Sequence, residues 1–191
     1  MLADAGVNWV RIRVWNDPYD ADGNGYGGGN CDVEAAKIMG QWATEAGLKV
    51  LIDFHYSDFW ADPGKQMVPK AWQGFTADQK AEAAEEYTYE SLKTLLDAGV
   101  DVGMVQVGNE TTGSICGERN WTNMAKIYSA GSTAIRTISA EYEKDILVAV
   151  HFTNPEPEGR DAPGSGYPSV PAFRRRRNRS VHSPAIYLQP T

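Results

Sequence analysis

One short phrase recurs along the 191-residue chain, and it limits the folds available. Ala5-Gly6-Val7 leads into VNWVRIRVW, Ala46-Gly47-Leu48 into LKVLIDFHY, and Ala98-Gly99-Val100 into VDVGMVQVGNE. Each time a helical stretch stops at glycine, the residue suited to the left-handed position just past a helix end, and an apolar strand begins. Each interval holds one strand, one loop and one helix, so the repeating unit is strand–helix. Asp32 predicts a helix over 33–46, with Val33, Ala36, Ile38 and Met39 as apolar positions. Thr76 and Gln79 form a capping box that predicts a helix running to Ala98, with Ala84, Tyr87, Leu92, Leu95 and Leu96 at helical spacing. A third helix, about 122–140, feeds a fourth strand, ILVAVHF, at 146–152.

Strands alternating with helices imply a parallel sheet, either an open doubly wound sheet or a (β/α)8 barrel. The strand faces separate the two. Arg11, Arg13 and Trp15 share one face of the first strand against Val10, Ile12 and Val14; Leu51, Asp53 and His55 oppose Val50, Ile52 and Phe54 in the second. A face carrying charges is not covered by helices; it looks into a partly wet centre. The polar residues also gather toward the C-terminal strand ends, where barrel enzymes build their sites. The expected fold class is therefore α/β, a partial (β/α)8 barrel of about four β/α units over residues 1–155, with an irregular tail over 156–191. Half a barrel leaves two open sheet edges, which favour pairing with other chains.

Composition narrows the function classes. The net charge is −7, but residues 161–191 hold five arginines and one acid, leaving −11 on the other 160 residues. An acidic body argues against a nucleic-acid partner. No apolar run approaches the roughly 18 residues of a membrane span, so no membrane partner is expected. MLADAGVNWVRIRVW lacks the pattern of a signal peptide. Cys31 and Cys116 have no zinc spacing and leave a disulfide and two free thiols equally open.

Three motifs carry chemistry. Val107-Gly108-Asn109-Glu110 ends an apolar strand. A carboxyl group sheltered there suits a general acid/base, and Asn109 suits a hydrogen bond to a substrate hydroxyl. Asp53-Phe54-His55-Tyr56-Ser57-Asp58-Phe59-Trp60-Ala61-Asp62-Pro63 brings Asp53, His55 and Asp58 as partners for sugar hydroxyls. In the same run Trp60 offers an apolar platform for a pyranose, with Trp72 as a second one, whereas Trp9 and Trp42 read as core. Arg11 and Arg13 on an inward face need anionic partners, either a structural ion pair with Asp53 or a catalytic carboxylate. Asp20-x-Asp22-x-Asn24-Gly25 matches the start of a calcium loop, but its twelfth position is Cys31 where a glutamate is required. No metal or other cofactor is expected, and Gly27, Gly28 and Gly29 read as a substrate loop.

Together these motifs, with His151 on the fourth strand, resemble glycoside hydrolase family 53, the endo-β-1,4-galactanases, over residues 1 to about 155. The resemblance implies a secreted, retaining barrel glycosidase acting on β-1,4-galactan or arabinogalactan. It implies Glu110 as general acid/base, and Arg11, Arg13, Asp53, His55, Asp58, Trp60, Trp72, Asn109 and His151 as substrate-binding or site-shaping residues. The nucleophile glutamate of that family belongs to a later strand that is not recognisable here, so little hydrolysis is expected of the chain as written. The alternatives are a related cellulase- or mannanase-like β-glycanase and a non-catalytic galactan-binding remnant. The Pro- and Arg-rich stretch 156–191, with Arg174 to Arg177, reads either as a disordered basic arm or as a frameshifted continuation.

Overall fold

The computed structural model describes residues 3–27 and 31–153, together with the backbone of 185–188. Gly28, Gly29, Arg174 to Arg177 and most of the tail lie outside the described residues. The elements run β1 (Trp9–Val14), α1 (Val33–Glu45), β2 (Lys49–Phe54), a short 3-10 turn (Lys70–Trp72), α2 (Ala77–Asp97), β3 (Val102–Val107), α3 (Trp121–Glu141), β4 (Leu147–His151) and β5 (Ala185–Leu188). The sheet order is β1-β2-β3-β4-β5; the first four strands are parallel neighbours and β5 is antiparallel to β4. This is the expected partial barrel. β5 falls in the stretch read as irregular, and its pairing covers the outer edge of β4, so of the two edges expected to be open only that of β1 is unpaired among the described residues.

The helices start where their caps predict. Asp32 accepts from the Ala35 amide, Thr76 and Gln79 form the reciprocal box, and Asn120 accepts from Thr122 and Asn123. Their ends share one design. Gly47 donates to the Thr44 carbonyl and Leu48 to Ala43; Gly99 donates to Leu96 and Val100 to Leu95. These paired bonds satisfy carbonyls that a helix end would otherwise leave open. Helix α3 ends the same way, with Glu143 donating to Ala140 and Lys144 to Ser139. Here the left-handed residue is Glu143, at φ 49°, which hid the fourth repeat of the phrase from a search for glycine.

All three helices pack against one face of the sheet. Ile12, Val14, Val50, Ile52, Phe54, Val105 and Val107 form a single buried cluster with Ala36, Leu92, Leu95, Ile127 and Ile135 from the helices. At about 25 cal/mol per Å² of apolar area removed from water, this layer is the main stabilising term. The opposite face holds the polar residues. A bulge between β2 and β3 skips Gly103, where a Cβ would stand 2.7 Å from the Trp9 ring. Trp9 is half-buried there, but Trp42 is 65% exposed on the outside of α1, which corrects the expectation that it is core. Both cysteines are buried thiols and are not joined in a disulfide. Asp20 spends its carboxylate on the Asp22 and Asn24 amides of a short hairpin, and no group of metal-binding side chains occurs among the described residues.

A left-handed non-glycine residue costs about 1–2 kcal/mol, and glycine's extra backbone entropy returns about 0.5–1 kcal/mol of that. Glu143→Gly should therefore stabilise the fold by about 0.5–1 kcal/mol, whereas Gly99→Ala should destabilise it by a similar amount. Urea unfolding midpoints of the two variants check the opposite signs.

Candidate active site

The register places Arg13, Asp53, Gln106 and Ala149 in one row across the inner face, with Arg11 one pleat below on β1. Asp53, 1% exposed, is the hub of this face. Its Oδ2 accepts from Arg11 Nη2 at 2.7 Å and from His55 Nε2 at 3.2 Å, and its Oδ1 accepts from Gln106 Nε2 at 2.5 Å. His55 Nδ1 in turn accepts from the Ala61 amide at 3.0 Å, which places the ring proton on Nε2, facing Asp53. Asp53 and His55 thus spend their polar atoms inside the protein.

The two arginines differ. Arg13 stands in register with Asp53, yet Arg11 makes the ion pair. Arg13 Nε donates to Cys31 Sγ at 3.2 Å, and its guanidinium lies 5.6 Å from the Trp15 ring centre and 5.1 Å from that of Trp60. Trp60 also meets His55 edge-on at 5.5 Å and remains 45% exposed, as a sugar platform requires. Trp72 does not share that position. It is 7% exposed and packs on Tyr56 and Tyr87, because the 3-10 turn carrying it folds into the helix-side core. Asp58 is likewise withdrawn. Its oxygens accept from the Asp17 amide at 3.0 Å and the Lys70 amide at 2.7 Å, tying loops together, while burial pushes its carboxyl above the usual range against those two bonds.

Asn109 and His151 close the cluster. Asn109 Oδ1 accepts from Arg11 Nη2 at 2.6 Å and from His151 Nδ1 at 3.0 Å, and its Nδ2 donates to the Ala61 carbonyl at 2.8 Å. One Nδ2 hydrogen of Asn109 remains for another partner. Burial first, then the Arg11 charge, lowers the His151 pKa, so its ring is neutral, with Nδ1 as donor and Nε2 as acceptor. Glu110 follows in a left-handed conformation, φ 51°, after Gly108 at φ 80°. A Cβ at Gly108 would stand 2.5 Å from Thr111 Cγ2, so the turn requires glycine. Glu110 is half-buried rather than buried, and its carboxylate has no hydrogen-bond or ionic partner among the described residues. Two neighbouring acids are engaged: Glu118 with Lys80 at 2.6 Å and with Asn123, and Asp62 with the Gly64 amide. The Lys80 hydrogen bond holds the Glu118 carboxyl below its usual range.

Two buried glutamines escaped the sequence reading. Gln106 links Asp53 to the Gly108 carbonyl, and Gln66 donates to the Asn109 carbonyl at 2.7 Å. Gln106 was legible in principle, as a polar residue on the inward parity of an otherwise apolar strand. Gln66 sits in a loop with no periodic signal.

Comparison with known proteins matches residues 1–163 to the model of glycosyl hydrolase family 53. An endo-beta-1,4-galactanase of Bacillus subtilis is 57% identical over 83% of this chain and 36% of its own length. An arabinogalactan endo-beta-1,4-galactanase of Cellvibrio japonicus is 36% identical over 82% of this chain and 42% of its own. The chain thus spans about two fifths of the length of these curated relatives. Among solved structures, a GH53 catalytic domain of Ignisphaera aggregans superposes with a TM-score of 0.73 at 41% identity, covering 79% of this chain and 42% of that one. A fungal beta-1,4-galactanase superposes with a TM-score of 0.67 at 31% identity, covering 79% of this chain and 43% of that one.

Asp53→Asn should destabilise the fold by about 2–3 kcal/mol, the scale of lost hydrogen bonds to a charged group, because an amide NH2 then faces a donor. Urea unfolding measures it. His151, lowered from 6.5 in the folded state, adds a pH term. As pH falls through its ordinary value the unfolded chain takes up the proton first, so stability begins to drop below about pH 7.5 and keeps dropping until the folded ring is protonated too. His151→Gln should flatten that part of the stability profile.

Proposed function

The chain belongs to glycosyl hydrolase family 53, and from that membership we propose that it carries the acid/base side of an endo-β-1,4-galactanase active site, one that cleaves β-1,4-galactan or arabinogalactan with retention of configuration. The observation that carries this reading is the contrast at the end of β3. Asp53, Asp58, Asp62 and Glu118 are spent on protein groups, while the Glu110 carboxylate has no partner among the described residues and stands beside an Asn109 whose Oδ1 is engaged and whose Nδ2 keeps one hydrogen. A group with no structural work, held in a strained backbone, suits chemistry on a substrate. Glu110 donates a proton to the glycosidic oxygen as the bond to the anomeric carbon breaks. It then takes one from the water that releases the sugar. Trp60 supplies the stacking face for a galactose ring, whose C–H groups are apolar on one side. His151 Nε2 accepts from a sugar hydroxyl, and the remaining Asn109 Nδ2 hydrogen donates to one. Arg11, 45% exposed at its side chain, reaches the same space, and Arg13 acts by holding Trp60.

Retention needs a second carboxylate, about 5–5.5 Å from the first, to attack the anomeric carbon. Among the described residues Asp53, Asp58, Asp62 and Glu118 are all committed to other partners, so none is free for that role. The 191-residue polypeptide should therefore bind galactan far better than it cleaves it.

Titration of β-1,4-galactotetraose into the polypeptide tests the reading. Binding is expected, weakened about tenfold or more by Trp60→Ala, the scale of one aromatic contact of about 1.4 kcal/mol. It should be kept in Glu110→Gln. Preference for cello-, xylo- or manno-oligosaccharides over the galactan series would overturn the substrate class. Reducing-sugar release from galactan is expected at least about 10⁴-fold below that of the Bacillus subtilis relative, as for loss of one catalytic group. Comparable turnover would overturn the one-carboxyl reading.

A further inference from the structure

We infer that Gln66 positions Glu110 for proton transfer, by holding the peptide carbonyl that immediately precedes it; the inference rests on the reading of Glu110 as the acid/base. The carboxylate of Glu110 has no partner among the described residues, so its aim is set by its backbone. That backbone is left-handed at φ 51°, a conformation side-chain-bearing residues avoid and surrounding contacts must impose. Three successive carbonyls are held there. The Gly108 carbonyl accepts from Gln106 Nε2 at 2.9 Å, the Asn109 carbonyl from Gln66 Nε2 at 2.7 Å, and the Glu110 carbonyl from the Thr112 amide at 2.9 Å. The middle one decides the aim. The Asn109 carbonyl and the Glu110 nitrogen share one rigid peptide plane, and φ of Glu110 is the rotation about that nitrogen's bond to Cα. With that plane held by Gln66 and the Glu110 carbonyl held by the Thr112 amide, φ is set between two fixed groups, and with it the direction from which the Glu110 side chain departs.

Gln66 is built to hold that plane. It is 8% exposed, and the same Nε2 also donates to the Asp62 carbonyl at 3.1 Å, so the amide cannot swing away. Its Oε1 is buried with no hydrogen-bond partner among the described residues. An unsatisfied buried acceptor is costly, and a methionine would fill the same space without it. What methionine cannot supply is the donor to Asn109. The side chain is therefore better explained by its Nε2 than by packing.

The test is read at Glu110 itself. A positive φ brings the amide proton close to its own Hα and gives a strong intraresidue NOE. Glu143, also left-handed at φ 49° and at the far end of α3, serves as internal control. In isotope-labelled full chain, Gln66→Met and Gln66→Glu, neither able to donate, should weaken the Glu110 signal at least twofold and leave that of Glu143 unchanged. The thermal midpoint of Gln66→Met should fall only modestly, because loss of the two donated bonds is partly offset by removal of the unsatisfied Oε1, and that of Gln66→Glu should fall further, because its carboxylate faces the two carbonyls. An unchanged Glu110 signal in either folded variant overturns the inference. Should neither variant fold, scalar coupling across the hydrogen bond from Gln66 Nε2 to the Asn109 carbonyl in the unaltered chain decides: its presence supports the clamp and its absence overturns it. Failure of galactotetraose to bind would count against the galactanase reading alone, since the backbone signals do not depend on it.

Discussion

The buried carboxylate of Asp53 is the contact on which the inner face depends. Donors from three strands converge on it: Arg11 from β1, His55 from the end of β2 and Gln106 from β3. Each of those donors then orders something else. Arg11 and Gln106 reach Asn109, and His55 fixes the loop that carries Trp60 through the Ala61 amide. A charge this deeply buried is tolerable only because both oxygens are satisfied. The sheet's outer face is held by apolar packing, which is non-directional; its inner face is held by this network, in which every group has a fixed angle.

The two faces differ in how far the sequence discloses them. Strand order, helix limits and the split between polar and aliphatic faces follow from period and capping, which are local signals. The Thr76–Gln79 box and the Gly47 and Gly99 ends appear as expected. Roles on the inner face do not follow, because they depend on which of several polar groups meets which across strands. Arg13 and Asp53 are in register, yet the pair forms with Arg11, since Arg13 is drawn between two indoles. Asp58 and Trp72 look like site residues by composition, but loop closure turns one toward backbone amides and the other into the core. Trp42 shows the reverse error, an aromatic at a helical position whose side faces solvent.

The corrections share one cause. A residue type suited to sugar contact is equally suited to holding a loop, and only the count of its satisfied atoms separates the two. By that count the Glu110 carboxylate and His151 Nε2 keep no protein partner among the described residues and Trp60 stays exposed, while Asp53, His55 and Asp58 are spent on protein groups.

The turn at Gly108–Glu110 has a consequence for recombination. Among the described residues the contacts that shape it come from between Arg11 and His151, including Arg11, Ala61, Gln66, Gln106, Thr112 and His151. Four consecutive β/α units therefore contain the described contacts that set the conformation of Glu110. A crossover placed after β4 would cut none of these contacts. Such a segment, exchanged between related barrels, would carry the geometry of Glu110 with it.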